Sequence, residues 1–229
     1  MKKLFLFIIT VLFFCNCFAQ QITDRKNTII KRVTEQFQTV TENGKILRSG
    51  TYVAFYRKKL IARGKYQNDK RVGTWLFYDP NGTLLQNFDY STNKITYEAP
   101  ENGITRIKYI VDNEISPTDS VIQPVKVGGR YFGYLLYLKI LRGMEELQDT
   151  DMPHCIITLK FLVSPYGRLA DCSVQLACPG ADPTVFNINT DSLTDDDKLF
   201  APATFNKKLI ASQIELTCYR NDDGDIEIY

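Results

Sequence analysis

The sequence predicts an α+β protein in two parts, an N-terminal antiparallel β-meander and a C-terminal part in which one helix covers a three-stranded antiparallel sheet. Short runs of aromatic and β-branched residues alternate with glycine turns in the first half of the 229-residue chain. In the second half, apolar residues at helical spacing precede further strand-like runs. The composition, 44% hydrophobic and 24% charged, is that of an ordinary globular chain.

We divide the chain into four predicted segments. They are a signal peptide over residues 1–19, a β-meander over 22–114, a linker over 115–127 and a second domain over 128–229. Pro117, Pro124 and several polar residues mark the linker.

The N-terminus has the layout of a secretory signal. Met1-Lys2-Lys3 precedes an apolar run from Leu4 to Phe14, and small residues end at Ala19 before polar Gln20. We therefore expect cleavage after Ala19 and an exported protein, periplasmic or associated with the outer membrane.

Two other interpretations of this segment compete with export. A membrane anchor needs about 20 apolar residues, whereas this run is interrupted at Asn16. Lipidation at Cys15 or Cys17 would follow Phe14 or Asn16, which are poor residues before a lipoprotein cysteine.

Regular turn signals divide the first half into strands. Asn43-Gly44 and Asp79-Pro80-Asn81-Gly82 favour tight turns, because Pro presets one dihedral and Asn or Gly tolerates positive φ. Consecutive antiparallel pairing is therefore expected for the runs 29–40, 51–56, 59–66, 74–78, 83–90, 94–97 and 104–111.

A short sequence motif is repeated alongside these turns. Gly50-Thr51-Tyr52, Gly64-Lys65-Tyr66 and the run Gly73 to Tyr78 each place an aromatic residue two positions after a glycine. This pattern resembles the MORN-type (YwqK-like) repeat, in the variant found in exported bacterial proteins. The aromatic stripe could hold a sugar or a peptide, but we assign it to core packing: Tyr52, Tyr66, Trp75 and Phe77.

Charge divides the chain between its halves. Residues 22–100 carry 14 Lys and Arg against 7 Asp and Glu, whereas residues 101–229 carry 12 against 19. On a strand of period two, a basic stripe would project from one face: Arg57, Lys59, Arg63 and Lys65. A solvated outer face and an anionic lipid or glycan partner both fit such a stripe. Export makes nucleic acid a poor partner.

The second half begins with a predicted helix. Tyr131, Leu135, Leu138, Leu141 and Leu147 follow a period of 3.6 after Gly128-Gly129. A strand from Cys155 to Val163, a turn over Ser164-Pro165-Tyr166-Gly167 and a second strand from Arg168 to Leu176 come next. A third strand is predicted over 209–219, after a short helix or loop around 194–200.

This half resembles the TonB C-terminal domain family over about 100 residues, from Pro124 to the end. The matching marks are Gly128-Gly129, the hairpin with Tyr166-Gly167-Arg168-Leu169, and Phe200-Ala201-Pro202-Ala203 before the last strand. The resemblance implies a periplasmic interaction domain whose terminal strand pairs with a partner peptide by strand addition. The docking residues it suggests are Leu209, Ala211, Gln213, Ile214 and Leu216.

The chain departs from that family in two respects. An energy-transducing TonB protein has an uncleaved membrane helix and a long Pro-rich spacer, and this sequence has neither. The segment after Leu176 is also longer and less helical than the second helix of the family.

Four cysteines follow the predicted signal: Cys155, Cys172, Cys178 and Cys218. Their spacings do not suit zinc, and in an exported protein they permit disulfides in three pairings or serve as small buried residues. The sheet that the TonB resemblance implies would bring Cys155 beside Cys218, which leaves Cys172 to pair with Cys178.

The sequence carries no convergent catalytic group, and we predict no enzyme, no metal and no cofactor. The acids Asp195-Asp196-Asp197 follow Thr194 as in a helix cap. Asn221 to Asp225 lacks the distal Glu of a calcium loop. His154 and Cys155 are neighbours that would point to opposite faces of a strand.

The leading functional hypothesis is a non-catalytic interaction or scaffold protein of the bacterial envelope that binds a protein or peptide. Two alternatives are a TonB-like component of energised outer-membrane transport, and attachment to glycan or lipid through the basic face.

Overall fold

A computed structural model describes residues 22–101, 106–111, 114–148, 155–221 and 223–228. The predicted signal peptide with Ala19, Cys15 and Cys17, and also His154, lie outside these residues. The described chain is broadly α+β, mostly antiparallel sheets with a single short α-helix.

The first sheet is a seven-stranded meander in which each strand pairs with the next along the chain. The turns use Asn43 and Gly44, both at positive φ, as the sequence predicts. Its strands are β1 (Thr23–Ile30), β2 (Val33–Glu42), β3 (Lys45–Tyr56), β4 (Lys59–Gln67), β5 (Lys70–Tyr78), β6 (Leu84–Asp89) and β7 (Lys94–Glu98).

The second sheet contains six strands, which are β8 (Ile107–Val111), β11 (Ile156–Val163), β12 (Leu169–Ala177), β13 (Thr184–Asn187), β17 (Ser212–Arg220) and β18 (Ile226–Glu227). Their order in the sheet is β13, β12, β11, β17 and β18, and β8 also pairs with β17. The predicted hairpin is formed by β11 and β12, which pair from Ile156–Ala177 to Val163–Leu169.

Two small sheets and the helix complete the fold. One sheet pairs β10 with β14, and the other has the order β16, β15, β9. Their bounds are β9 (Val121–Ile122), β10 (Val125–Lys126), β14 (Phe200–Ala201), β15 (Ala203–Phe205) and β16 (Lys208–Ile210). The helix α1 (Leu135–Gly143) lies between short 3-10 turns at Phe132–Tyr134 and Glu145–Leu147.

Several predicted elements have different limits in the structure. The expected helix over 131–147 is interrupted at Met144, whose extended backbone ends α1. The expected linker, 115–127, contains β9 and β10, which pair with β15 and β14. The predicted last strand is split, because Leu209 lies in β16 and Ala211 falls between β16 and β17.

The strand β8 was expected to end the meander but belongs to the second sheet. Ile107 to Val111 pair with Leu216 to Ser212 of β17. The composition of this strand, three apolar residues and a tyrosine in five positions, suits either sheet, so the sequence pattern alone does not distinguish the two places.

The residues just before α1 join the two sheets in one hydrophobic core. Phe132 stacks on Phe77 of the meander at 5.5 Å between ring centroids, and Tyr131 contacts Tyr56 at 6.0 Å. On the other side Tyr134 contacts Phe161 of β11 at 5.3 Å. The two halves therefore share one core.

The aromatic stripe of the meander lies in this core, as predicted. Trp75 is fully buried, 5.0 Å from Tyr52 and 5.2 Å from Tyr66 between ring centroids. Gly64 allows this packing because a Cβ there would lie 2.2 Å from the Trp75 indole.

The opposite charges of the two halves meet within the molecule. Lys31, in the turn between β1 and β2, lies 2.8 Å from Asp225, and its neighbour Arg32 pairs with Asp223. The charge division that suggested an external partner is thus partly used for contacts between the halves.

The disulfide pairing differs from the expected one. Cys155 and Cys178 form the disulfide, whereas Cys172 and Cys218 are free and buried. The register explains this, because Ile156 pairs with Ala177 and so places Cys155 opposite Cys178. Cys218 instead pairs with Ile157, two residues from Cys155.

Candidate functional site

A cleft of about 490 Å³ lies between the inner face of the meander, helix α1 and the loop that precedes β14. One wall is polar and comes from β2 to β5, with Glu35, Arg48 and Arg71. The facing wall includes Phe132, Leu135 and Leu136, so the cleft presents apolar groups opposite polar ones. A concave site of this size and mixed lining is typical of small-molecule binding.

Glu35 is the centre of the polar wall. It is 5% exposed, and its carboxylate accepts hydrogen bonds from Tyr52 Oη at 2.9 Å, Asn27 Nδ2 at 3.2 Å and Arg48 at 3.2 Å. Burial, followed by the Glu35 charge, raises the pKa of Tyr52 well above its ordinary value. The hydroxyl is therefore held as a donor to Glu35.

Arg71 connects the polar wall to the second half of the chain. Its guanidinium donates to Tyr66 Oη at 3.3 Å, Tyr90 Oη at 3.1 Å and Asp197 Oδ1 at 2.7 Å. Burial raises the pKa of Tyr90 to about 12, against the opposing effect of the Arg71 charge. This cluster fixes the position of the loop that carries Asp197.

The loop from Ser192 to Asp197 forms one rim of the cleft. The Asp197 carboxylate accepts from the Thr194 hydroxyl at 2.7 Å, and the Asp197 carbonyl accepts from Tyr137 Oη at 3.0 Å. The acids after Thr194 therefore close a turn, and Asp197 pairs with Arg71. No α-helix follows them in the described chain.

Lys126 lies in the wall of the cleft and is only 3% exposed. Its Nζ donates to the carbonyl oxygens of Val127 and Leu199, each at 3.0 Å. The ring of Phe200 has its centroid 4.7 Å away. Burial lowers the pKa of Lys126 to about 7.

The glycine pair after Lys126 is held by a buried glutamine of the meander. Gln86 Oε1 accepts from the N–H groups of Gly128 and Gly129, at 2.8 and 3.1 Å. Its amide nitrogen donates to the Lys126 carbonyl at 3.1 Å. Both glycines have positive φ, which favours glycine at these positions.

The predicted docking strand is not a free edge. One side of β17 pairs with β11, and the other pairs with β8 over Gln213, Ile214 and Leu216 and with β18 near its end. The edge to which a partner peptide was expected to add is occupied by the chain itself. Leu209, 54% exposed, belongs to another sheet.

The predicted basic stripe is interrupted by a β-bulge. Ala54 pairs with Ala62 but Phe55 pairs with Leu60, so Ile61 is an extra residue. Lys59 therefore shares the face of its partner Tyr56, whereas Arg63 shares the opposite face with Val53. Lys65 lies on the face of Arg63, and Arg57 is in the turn at positive φ.

Sequence reasoning missed the residues that form this cleft. Glu35 and Arg71 appear in the sequence as ordinary charges of surface strands, and only the pairing of distant segments buries them. Lys126 gave a weak signal, since it interrupts the apolar positions Val125 and Val127 just before the glycine pair.

Within the ranges that the structure describes, no three His, Cys, Asp or Glu side chains gather as a metal site. No helix in the described part of the chain is long and apolar enough to cross a bilayer. Comparison with protein-family models, curated proteins and solved structures finds no significant match.

Proposed function

We propose that this protein is an exported, non-catalytic binding protein of the bacterial envelope, and that the cleft between its two halves holds the ligand. The single observation that carries the proposal is the cleft itself, in which the side chains of Glu35, Arg48 and Arg71 are already fixed by internal hydrogen bonds. Preorganised polar groups reduce the entropy cost of binding.

The lining indicates the class of ligand. Three basic side chains, Arg48, Arg71 and Lys139, together with the partly protonated Lys126, nearly balance four acidic ones, Glu35, Asp69, Asp196 and Asp197. Such a balance favours a neutral or zwitterionic molecule over a strongly anionic one. The facing Phe132 and Leu136 favour a ligand with an apolar portion.

A variant that obstructs the mouth of the cleft tests this proposal. Ser192 is exposed and lines the cleft, whereas its exposed neighbour Asp191 does not line it. We expect Ser192→Trp to lose binding and Asp191→Trp, the matched control, to retain it. Native mass spectrometry after incubation with a small-molecule extract of bacterial envelopes would detect the bound mass. Equal adducts on all three proteins, or none on the wild type, would contradict a cleft ligand.

We also propose that α1 with β11, β12 and β17 is the counterpart of a TonB C-terminal domain, and that the meander is the counterpart of a MORN-type array. Two of the sequence motifs that carry the TonB resemblance are in contact, which supports the proposed TonB counterpart. Phe200 N, in the Phe200 to Ala203 motif, donates to the carbonyl of Gly167 in the hairpin turn at 2.8 Å. Tyr137 of α1 lies 4.9 Å from Phe161 of β11 between ring centroids.

On this second proposal, an envelope protein or peptide that pairs with β17 must displace β8 first. Crosslinking in intact cells, followed by capture of the full-length chain, tests for such a partner. Recovery of an outer-membrane receptor or a motor component would favour a role in energised transport.

Arg63 and Lys65 still lie on one face of β4 and form a smaller basic surface to which a lipid or glycan could bind. If the protein is retained by the envelope to the same extent after charge reversal at both residues, attachment through this surface is excluded.

A further inference from the structure

Lys126 is a buried amine without an acidic partner. Among the residues that the structure describes, no carboxylate oxygen forms a salt bridge with its Nζ within 4.0 Å. The two nearest acceptors are neutral backbone carbonyls, those of Val127 and Leu199. Buried lysines are ordinarily paired with a carboxylate, because an unpaired buried charge is costly. This arrangement therefore calls for a different explanation.

The hydrogen-bond geometry suits a neutral amine. A neutral amine has two N–H groups and one lone pair, and two carbonyls accept from this nitrogen at 3.0 Å. The third N–H of an ammonium would face the Phe200 ring, at 4.7 Å from the nitrogen to the centroid. In the neutral form, the lone pair takes the place of that third proton on the Phe200 side. The amine must therefore turn from one of its two carbonyls toward the cleft before it can add to an electrophile.

The charged groups around Lys126 act in both directions on its protonation. The pKa of Lys126 is lowered to about 7 in total: burial is the largest cause, Asp197 and Asp196 act against it, and the Arg71 charge adds to it. A large part of the amine is therefore neutral near pH 7, unlike an exposed lysine, whose pKa is about 10.4.

The surroundings leave space for the side chain and place it beside the cleft. Gly133 lies against the lysine stem, since a Cβ there would come within 2.8 Å of Lys126 Cγ. Lys126 itself lines the cleft together with Val127 and Gly128. A molecule in the cleft would thus meet this wall.

We propose that Lys126 captures carbonyl-containing ligands in the cleft as a reversible imine. This inference rests on the proposed function, because the ligand must first enter the cleft. The neutral Nζ adds to the carbonyl carbon of an aldehyde, a proton passes from nitrogen to oxygen, and the carbinolamine loses water. One C=N bond replaces one C=O bond, one water leaves, and no oxidant or reductant is required.

Reductive trapping tests the proposal on the full mature chain. The protein is incubated with pyridoxal at pH 7, reduced with borohydride, digested and mapped by mass spectrometry. We expect Lys126 to be modified at least about 10-fold faster than Lys94, which is exposed and does not line the cleft, since burial leaves a large fraction of the Lys126 amine neutral. An imine absorbance that is lost in Lys126→Arg but kept in Lys94→Arg supports the assignment. Modification of exposed lysines with Lys126 untouched would overturn it.

A second measurement needs no variant at Lys126. Formaldehyde and cyanoborohydride methylate neutral amines, so the rate at Lys126 in the wild-type protein should rise between pH 6 and 8 and then level off. A rate that keeps rising tenfold per pH unit to pH 9 would show an ordinary lysine and contradict the proposal. Loss of labelling in Ser192→Trp connects the amine to the cleft. If the envelope ligand still binds while Lys126 stays unmodified, only the imine fails and the cleft proposal stands.

Discussion

Arg71 and Asp197 form a buried ion pair, 2.7 Å between Nη2 and Oδ1, that joins the meander to the loop before β14. Their side chains are 10% and 11% exposed, although 126 residues separate them along the chain. Burial, the largest effect, raises the pKa of Asp197, but the Arg71 charge, the hydrogen bonds from Thr194 and Arg71 and the Lys126 charge together outweigh it, and the pKa lies below the ordinary value. The pair thus fixes the cleft rim.

Removing one member of this pair should destabilise the protein strongly. We expect Arg71→Met to lower the free energy of unfolding by about 3–5 kcal/mol, because Asp197 is left as a buried charge. The double variant Arg71→Met/Asp197→Leu should recover part of this loss. Urea denaturation checks both. In the control Lys31→Met, which removes an exposed ion pair, the change should be much smaller. A double variant no more stable than Arg71→Met would contradict the electrostatic explanation.

The disulfide assignment predicts a specific peptide map. Digestion without reduction should yield Cys155 linked to Cys178, with Cys172 and Cys218 as free thiols. Burial raises the pKa of both free thiols to about 12, so alkylation should require denaturant. Removal of the bridge by Cys155→Ala/Cys178→Ala should cost about 3 kcal/mol in the chain-entropy model. A fragment joining Cys155 to Cys218 would show that the register is wrong.

Gly64 is predicted to be intolerant of any side chain. A Cβ at this position would lie 2.2 Å from the Trp75 ring, so Gly64→Ala must displace a fully buried indole. We expect a loss of about 2 kcal/mol in thermal or urea unfolding, with altered near-ultraviolet circular dichroism. Gly143→Ala is the matched control, because no atom lies within 4 Å of its Cβ and it is the last residue of α1. That change should be neutral or stabilise by up to about 1 kcal/mol.

The stability of the protein should depend on the protonation of Lys126. Since burial lowers its pKa in the folded state to about 7, the unfolded chain binds more protons between pH 7 and about 10. The contribution of this group therefore favours folding increasingly as the pH rises through that range. Lys126→Met should gain most relative to the wild type at pH 6, and the difference should shrink toward pH 10. Melting temperatures of both proteins across this range would check it, and a constant difference would argue against a buried titrating amine.

Local patterns in the sequence predicted the meander well. Asn43-Gly44 and the run from Asp79 to Gly82 mark two of its turns, and the alternation that buries Tyr52, Trp75 and Phe77 needs no distant contact. The turn at Lys31 and Arg32 carries no such signal, and it divides the expected strand over 29–40 between β1 and β2. The hairpin of β11 and β12 followed from the same reasoning around Ser164 to Gly167. The bulge at Ile61 was not predictable, because an extra residue in one strand leaves no mark in the alternation until its partner is known.

The cleft depends on contacts that sequence reasoning could not pair. Gln86 looks like an exposed strand residue, yet it is fully buried and binds the backbone of Gly128 and Gly129. The cysteines show the same limit: Cys155 lies opposite Cys178 on the β12 side of β11, whereas Cys218 on the β17 side lies opposite Ile157. Parity along a strand gives the face of a residue but not its partner.

The position of β8 determines where the gene can be divided. Residues 107–111 lie on the N-terminal side of the predicted linker but supply an outer strand of the C-terminal sheet. A recombinant fragment that starts at residue 115 would expose β17 along Ser212 to Leu216, a row of unpaired amides that invites intermolecular pairing. A fragment that starts before Arg106 includes β8, which pairs with this edge of β17. It still lacks the meander, which completes the shared hydrophobic core. The two halves are thus not interchangeable modules, and any fusion or exchange in this chain must keep β8 with the sheet that follows it.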